Sequence, residues 1–147
     1  MPQATYPFIS FRYGDGQEVS RANAYVPVRI ANPHTRQSVI AYALVDTGAD
    51  ACLFPADLAV ALGHDLKGAG VKASITSGIE QTEVPTYKHT FRLELLSPDL
   101  RRAVWRSRPM EIDCAESNPP VLVGVEGFLE RFRLTIDYRR QVARFQW

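Results

Sequence analysis

The chain alternates apolar and polar positions over short stretches, which predicts a mostly β protein. In Tyr25-Val26-Pro27-Val28-Arg29-Ile30, the residues Val26, Val28 and Ile30 share one face. Pro27 has no N–H to give to a ladder and predicts an edge position or an irregular start. Ala31-Asn32-Pro33-His34-Thr35 is a turn cluster. Ser38 to Val45 is rich in Val, Ile, Tyr and Leu and reads as a strand. Together these segments predict a hairpin that runs directly into Asp46. One short helix is expected between Pro55, tolerated in a first turn, and Gly63, a helix stop, with Leu58, Leu62 and the alanines as its apolar stripe. Gly63 to Gly70 reads as loop.

Val71 to Ile75 and Val84 to Leu96 predict a long hairpin around the turn-prone stretch Thr76-Ser77-Gly78-Ile79-Glu80. Ser97-Pro98-Asp99 breaks the chain. Ala103 to Trp105 and Met110 to Ile112 are weaker strand signals. Ser117-Asn118-Pro119-Pro120 is a second break, and Val121-Leu122-Val123 reads as a strand buried on both faces. Gly127 to Phe132 predicts a helical turn or two. Leu134 to Asp137 and Val142 to Phe145 flank Tyr138-Arg139-Arg140 as a terminal hairpin. The two halves share a coarse order of strand, apolar strand into a glycine, then helix, a hint of pseudo-symmetry. Nothing reads as a linker, so one domain over residues 1–147 is expected, with residues 1–19 as a candidate N-terminal arm.

Composition narrows the classes of function. The 147 residues suit a single core. The net charge of +1 gives no basic excess to argue for nucleic acid. No apolar run is long enough to span a bilayer, and the first residues carry no signal-peptide pattern, so a cytoplasmic protein is expected. The two cysteines, Cys52 and Cys114, have no metal-type spacing and read as reduced, partly buried thiols.

The segment ALVDTGADACLFP carries the chemistry. The apolar residues Ala43-Leu44-Val45 deliver an aspartate, and Gly48 with Ala49 lets the backbone turn tightly behind it. An aspartate exposed at the end of a buried strand is poorly explained by packing. Downstream, Leu122-Val123-Gly124 follows the long hairpin. In this order the three parts resemble the retroviral-type (retropepsin-like) aspartic proteases and their bacterial relatives, over about Val26 to Phe145. The resemblance implies an all-β fold, a closed, mostly antiparallel barrel with one or two short helices. It implies Asp46 as the catalytic aspartate, Thr47 as a hydroxyl that locks the two active-site loops across a dimer, and Gly48 as a carbonyl that meets substrate backbone. Ala49 and Asp50 would line the cleft, Thr76 to Glu80 would be the flap tip, with Ser77, Gly78 and Ile79 against substrate, and Gly124 would pack beneath the active-site loop.

The implied reaction is hydrolysis of a polypeptide by a water molecule between two carboxylates, one a general base and the other a general acid, with no metal or other cofactor. The chain has one Asp-Thr-Gly, so the second carboxylate must come from a second copy in a two-fold homodimer. Two departures stand out. Val125 follows Gly124 where the viral enzymes usually place an arginine that pairs with the position of Asp50, and the flap lacks a glycine-rich tip. They keep open a non-proteolytic peptide-binding or dimerisation module on the same fold. A monomeric small-ligand β-barrel is a third reading.

Plainer roles stand beside these. Asp46 could be a turn aspartate, and Asp50 a cap for the helical region after Phe54. Asp46 and Asp50 have the spacing of a calcium-loop fragment, but the closing glutamate is missing. His34, His64 and His89 are scattered and read as surface or packing residues, and Cys52 with His64 matches no thiol-protease signature. Arg131, Arg133, Arg139, Arg140 and Arg144 read as a solvated face, with contact to acidic groups of a partner chain as the alternative.

Overall fold

The computed structural model describes residues 1–17, 20–77 and 83–147. The first hairpin forms as its pattern predicts. The strand β1 is Gln3–Pro7, β2 is Tyr25–Ala31 and β3 is Ser38–Val45. β2 and β3 pair antiparallel from Tyr25↔Leu44 to Ala31↔Ser38. Val26, Val28 and Ile30 are fully buried. Pro27 lies in the half of β2 that pairs on one side only, because the second partner joins at Val28. A proline is tolerated there since no second ladder needs its N–H.

The hairpin turn also finishes the helix. β4 (Leu53–Pro55) leads straight into α1 (Ala56–Ala61). Asn32 Nδ2 and Thr35 Oγ1 both donate to the Leu62 carbonyl at 2.9 Å, which satisfies an acceptor that a helix end leaves free. Gly63 follows with φ +91°, the left-handed conformation that favours glycine.

β5 (Ala73–Ser77) and β6 (Glu83–Leu96) form the long hairpin, in register from Ala73↔Tyr87 to Ser77↔Glu83. β5 starts two residues later than the sequence predicts, because Val71 closes a turn on Gly68 and Gly70 takes φ +82°. It also ends later, so Thr76 and Ser77 of the expected tip are strand residues. Gly78, Ile79 and Glu80 lie outside the described residues.

β7 (Ala103–Arg106) and β8 (Met110–Ala115) both pair with β6. β9 (Leu122–Val123) runs parallel to β3 and touches β4 at Leu53↔Leu122. The pairings run β2-β3-β9-β4-β8-β6-β5, and β6 also pairs back onto β2, which makes a partial ring of strands. The protein is thus mostly β, with one α-helix and one 3₁₀ turn, Leu129–Arg131, among the described residues.

The chain ends build a second sheet. β10 (Arg133–Asp137) and β11 (Val142–Gln146) form the expected terminal hairpin, and β1 pairs on the other side of β11, giving the order β1-β11-β10. The sequence placed no strand in the first residues. Here Tyr6 is buried edge-on against Phe145, with ring centroids 5.6 Å apart, and its hydroxyl donates to the Leu96 carbonyl at 2.7 Å. That bond ties the terminal sheet to β6. Phe132 sits between Trp105, Phe128, Phe145 and Trp147 and joins the sheet to the main core. Gln141 to Trp147 therefore covers its own core.

His64 lies against His89 of β6, with ring centroids 4.7 Å apart and the rings tilted by 41°. Each Nε2 lies 3.0 Å from a carbonyl, Thr90 for His64 and Leu66 for His89. A carbonyl is an acceptor only, so both Nε2 atoms carry the proton.

Candidate active site

The first three residues of β3 are exposed, and its second half alternates inward and outward. Ala43 and Val45 are buried, and Asp46 emerges half-buried at the strand end. The Leu44, Val45 and Asp46 N–H groups donate to Val121, Ala24 and Val123 carbonyls at 2.8, 2.9 and 3.1 Å. The aspartate is therefore seated between neighbouring main chains.

The loop then folds on itself. Ala49 N–H donates to the Asp46 carbonyl at 3.2 Å, and Gly48 N–H donates to Asp46 Oδ1 at 3.0 Å. The second bond orients the carboxylate and leaves Oδ2 with no hydrogen bond from a described residue. Thr47, Gly48 and Asp50 are exposed, and Ala49 is half-buried.

The segment after β9 holds this loop from below. Val125 N–H donates to the Ala49 carbonyl at 3.0 Å and Glu126 N–H to the Asp50 carbonyl at 2.8 Å. A methyl group added at Gly124 would sit 2.4 Å from the Ala51 carbonyl oxygen and 2.8 Å from that of Ala49. Both are backbone atoms that cannot swing aside, so only glycine fits between the two segments.

Asp46, Gly48, Ala49 and Asp50 line a cavity of about 650 Å³. Thr76 and Val84 of the long hairpin form another wall, and Leu53, Ala115, Pro119 and Leu122 supply apolar surface. The structure thus brings together four of the five motif residues. Thr47 is not among the described lining residues, and Gly78 and Ile79 lie outside the described residues. The sequence reading missed Leu53, Val84, Asp113, Ala115, Pro119 and Leu122. Each is an ordinary residue of a strand or turn, and only convergence in space marks it.

Asp50 has no ion-pair partner among the described residues. Asp113 is paired with Lys88 at 3.0 Å. Cys52 is buried and its thiol is pushed up, first by burial, with a Gly124 backbone bond opposing. A buried protonated thiol is not a nucleophile. Burial pushes the Cys114 thiol up to about 12. Among the described residues no group of three or more His, Cys, Asp or Glu is placed to hold a metal ion. No helix among them is long and apolar enough to cross a membrane.

The fold is similar to the crystal structure of a retropepsin-like aspartic protease from Rickettsia conorii. The TM-score is 0.56 and the identity 17%, over 98% of this chain and 90% of that one. No protein-family model matches the chain. No curated protein sequence matches it.

Proposed function

We propose that the chain is one subunit of an aspartic endopeptidase, with Asp46 as its catalytic carboxylate. The observation that carries this reading is the seat of Asp46. It stands at the end of a buried strand, on the wall of a cavity, with one oxygen held by Gly48 N–H and the other free of described partners. The likeness in fold to a retropepsin-like aspartic protease supports it.

In this reading a second copy supplies the other Asp46 across a two-fold axis. Two carboxylates held close share one proton, because ionising both is costly. The ionised one takes a proton from water as it attacks the amide carbonyl. The protonated one donates to the carbonyl oxygen, and a proton then passes to the leaving amine. No covalent intermediate forms. Thr47 bonds across the two loops, and the Gly48 carbonyl and Asp50 hold the extended substrate. The strands around β6 act as a closed barrel, and the β5–β6 hairpin acts as a flap that brings Ser77, Gly78 and Ile79 over the polypeptide. The setting is the cytoplasm.

A second reading, a peptide-binding or dimerisation module without cleavage, is favoured by Val125 and by Asp50, which has no ion-pair partner among the described residues. Cleavage of a mixed peptide library at roughly pH 4 to 7 separates the two. Wild type should cut and Asp46→Asn should not, while still folding and assembling. Equal cutting by both would place the chemistry elsewhere. No cutting by wild type shown to be dimeric would favour the module.

A further inference from the structure

The cleft of Asp46 does not end at its own walls. Its lining residues Ala51, Cys52 and Asp113 also line a second hollow, of about 440 Å³. Met110, Gly127 and Arg131 of that hollow line a third, of about 500 Å³. Three hollows thus follow one another, each sharing residues with the next. Asp113 and Met110 mark the two ends of the middle one on β8, about 10 Å apart at the rise of a strand. An extended polypeptide crosses that length in about three residues.

Charge changes along this path. In the middle hollow Asp113 is matched by Lys88 at 3.0 Å and Glu111 by Lys72 at 3.6 Å. Glu126, also in its lining, has no ion-pair partner among the described residues. The far hollow has the opposite sign. Arg106, Arg108 and Arg131 line it, all exposed, and no carboxylate among the described residues does. Little nearby offsets them. Arg106 shares Glu94 with Arg29, at 2.6 and 3.0 Å, so that trio keeps a net positive charge. Arg131 lies 3.7 Å from Glu130 Oε1, an oxygen that also accepts the Gly127 N–H. Arg108 has no ion-pair partner among the described residues.

Two of the arginines stand on a fixed frame. Ser107, between β7 and β8, donates its N–H to the Leu93 carbonyl at 2.8 Å, and its Oγ accepts the Leu93 N–H at 2.9 Å. Arg106 and Arg108 therefore flank a residue bonded twice to β6. Trp105 beside them packs edge-on against Phe128 and Phe132. A surface set in this way needs little ordering when an anion arrives.

We propose that the far hollow binds an acidic segment of the polypeptide whose neighbouring stretch lies in the cleft, with Arg106, Arg108 and Arg131 meeting its Asp and Glu side chains. The inference rests on the reading that the cleft holds an extended polypeptide. Glu126 turns acidic residues away from the middle hollow, so the acidic segment begins about three residues or more outside the cleft. The net charge of the whole chain is only +1, so the positive patch is local. That suits a short acidic stretch better than the long run of phosphates in a nucleic acid.

Fluorescein-labelled hexaglutamate, followed by anisotropy at low salt, should bind the full chain and be released as salt rises. Arg108→Glu and Arg131→Glu should each weaken it about tenfold. Arg139→Glu makes the same charge change at the exposed turn of the terminal hairpin and should leave binding unaltered. A hexaglutamate that does not bind, or that binds Arg108→Glu as well as wild type, would overturn the inference. So would a single-stranded oligothymidylate held more tightly than hexaglutamate by the same arginines, which would make this a surface for nucleic acid. In cleavage, a run of glutamates placed about four residues beyond the cleft-bound stretch of a library peptide should lower KM about tenfold with kcat unchanged. The same run placed directly beside that stretch should not, and a lower KM from the nearer run alone would overturn the placement. Hexaglutamate binding does not depend on Asp46, so the two readings fail separately. Binding by a chain that cuts nothing would keep this surface and remove the protease.

Discussion

The loop Asp46–Ala51 and the terminal sheet are held by different forces. The loop is fixed by main-chain bonds: Gly48 to the Asp46 carboxylate, Val125 to Ala49, Glu126 to Asp50. Of its side chains only the Asp46 carboxylate takes part in these bonds. The terminal sheet is fixed by side chains, with Tyr6, Phe132 and Phe145 packed edge to face. A site wants reactive groups exposed yet placed, and main-chain bonds do that without burying them. A sheet made from the two ends of a chain must offset a large loss of chain freedom, and aromatic burial does that.

The largest expected effect falls on one side of this contrast alone. Asp46→Asn should lower cleavage by roughly 10³-fold or more while leaving the melting temperature nearly unchanged, since the amide still accepts the Gly48 N–H. A melting point that falls with activity would mean the carboxylate is structural. Tyr6→Ala should do the reverse, costing about 3–5 kcal/mol in denaturant unfolding through the cavity it leaves against Phe145. Tyr6→Phe should cost only about 1 kcal/mol, the bond to Leu96. If Tyr6→Ala were neutral, the first strand would be dispensable.

Gly124→Ala should blur the contrast. Its methyl meets backbone on both sides, so the loop must shift. A loss of about 1–3 kcal/mol is expected together with reduced kcat. Full activity with lower stability would show that the loop tolerates displacement.

The smallest effect is in pH. Burial first, then the nearby His89, lowers the proton affinity of His64. The unfolded chain therefore binds a proton more readily than the folded one. Stability should be fully present above the ordinary histidine range, near about 6.5, and should fall as the pH drops below it towards the folded value. Thermal melts from pH 7 to roughly pH 5 should show this slope, and His64→Gln should flatten it. An unchanged slope in the variant would assign the pH effect to other groups.

The parts that could be read from the chain are those whose pattern is local. β2 alternates, β3 is rich in Val, Ile, Tyr and Leu, and α1 is bounded by Pro55 and Gly63, so each announces itself. β4 has three residues, too few for any period. β1 reads as polar and proline-ended, and its burial depends on Leu96, 90 positions away in the chain, and on Phe145, further still. The site divides in the same way. Asp46 to Asp50 are contiguous and carry a motif, whereas Leu53, Val84, Ala115, Pro119 and Leu122 meet only when four separate segments fold together.

The main-chain support of the Asp46–Ala51 loop has a consequence for evolvability. Ala49 and Asp50 are held by their carbonyls and Ala51 by a bridge to Glu126, so the groups beyond Cβ are free to be exchanged. New lining can be tried at these positions without first finding a compensating change elsewhere. Selectivity of the cleft can drift while the scaffold stays the same.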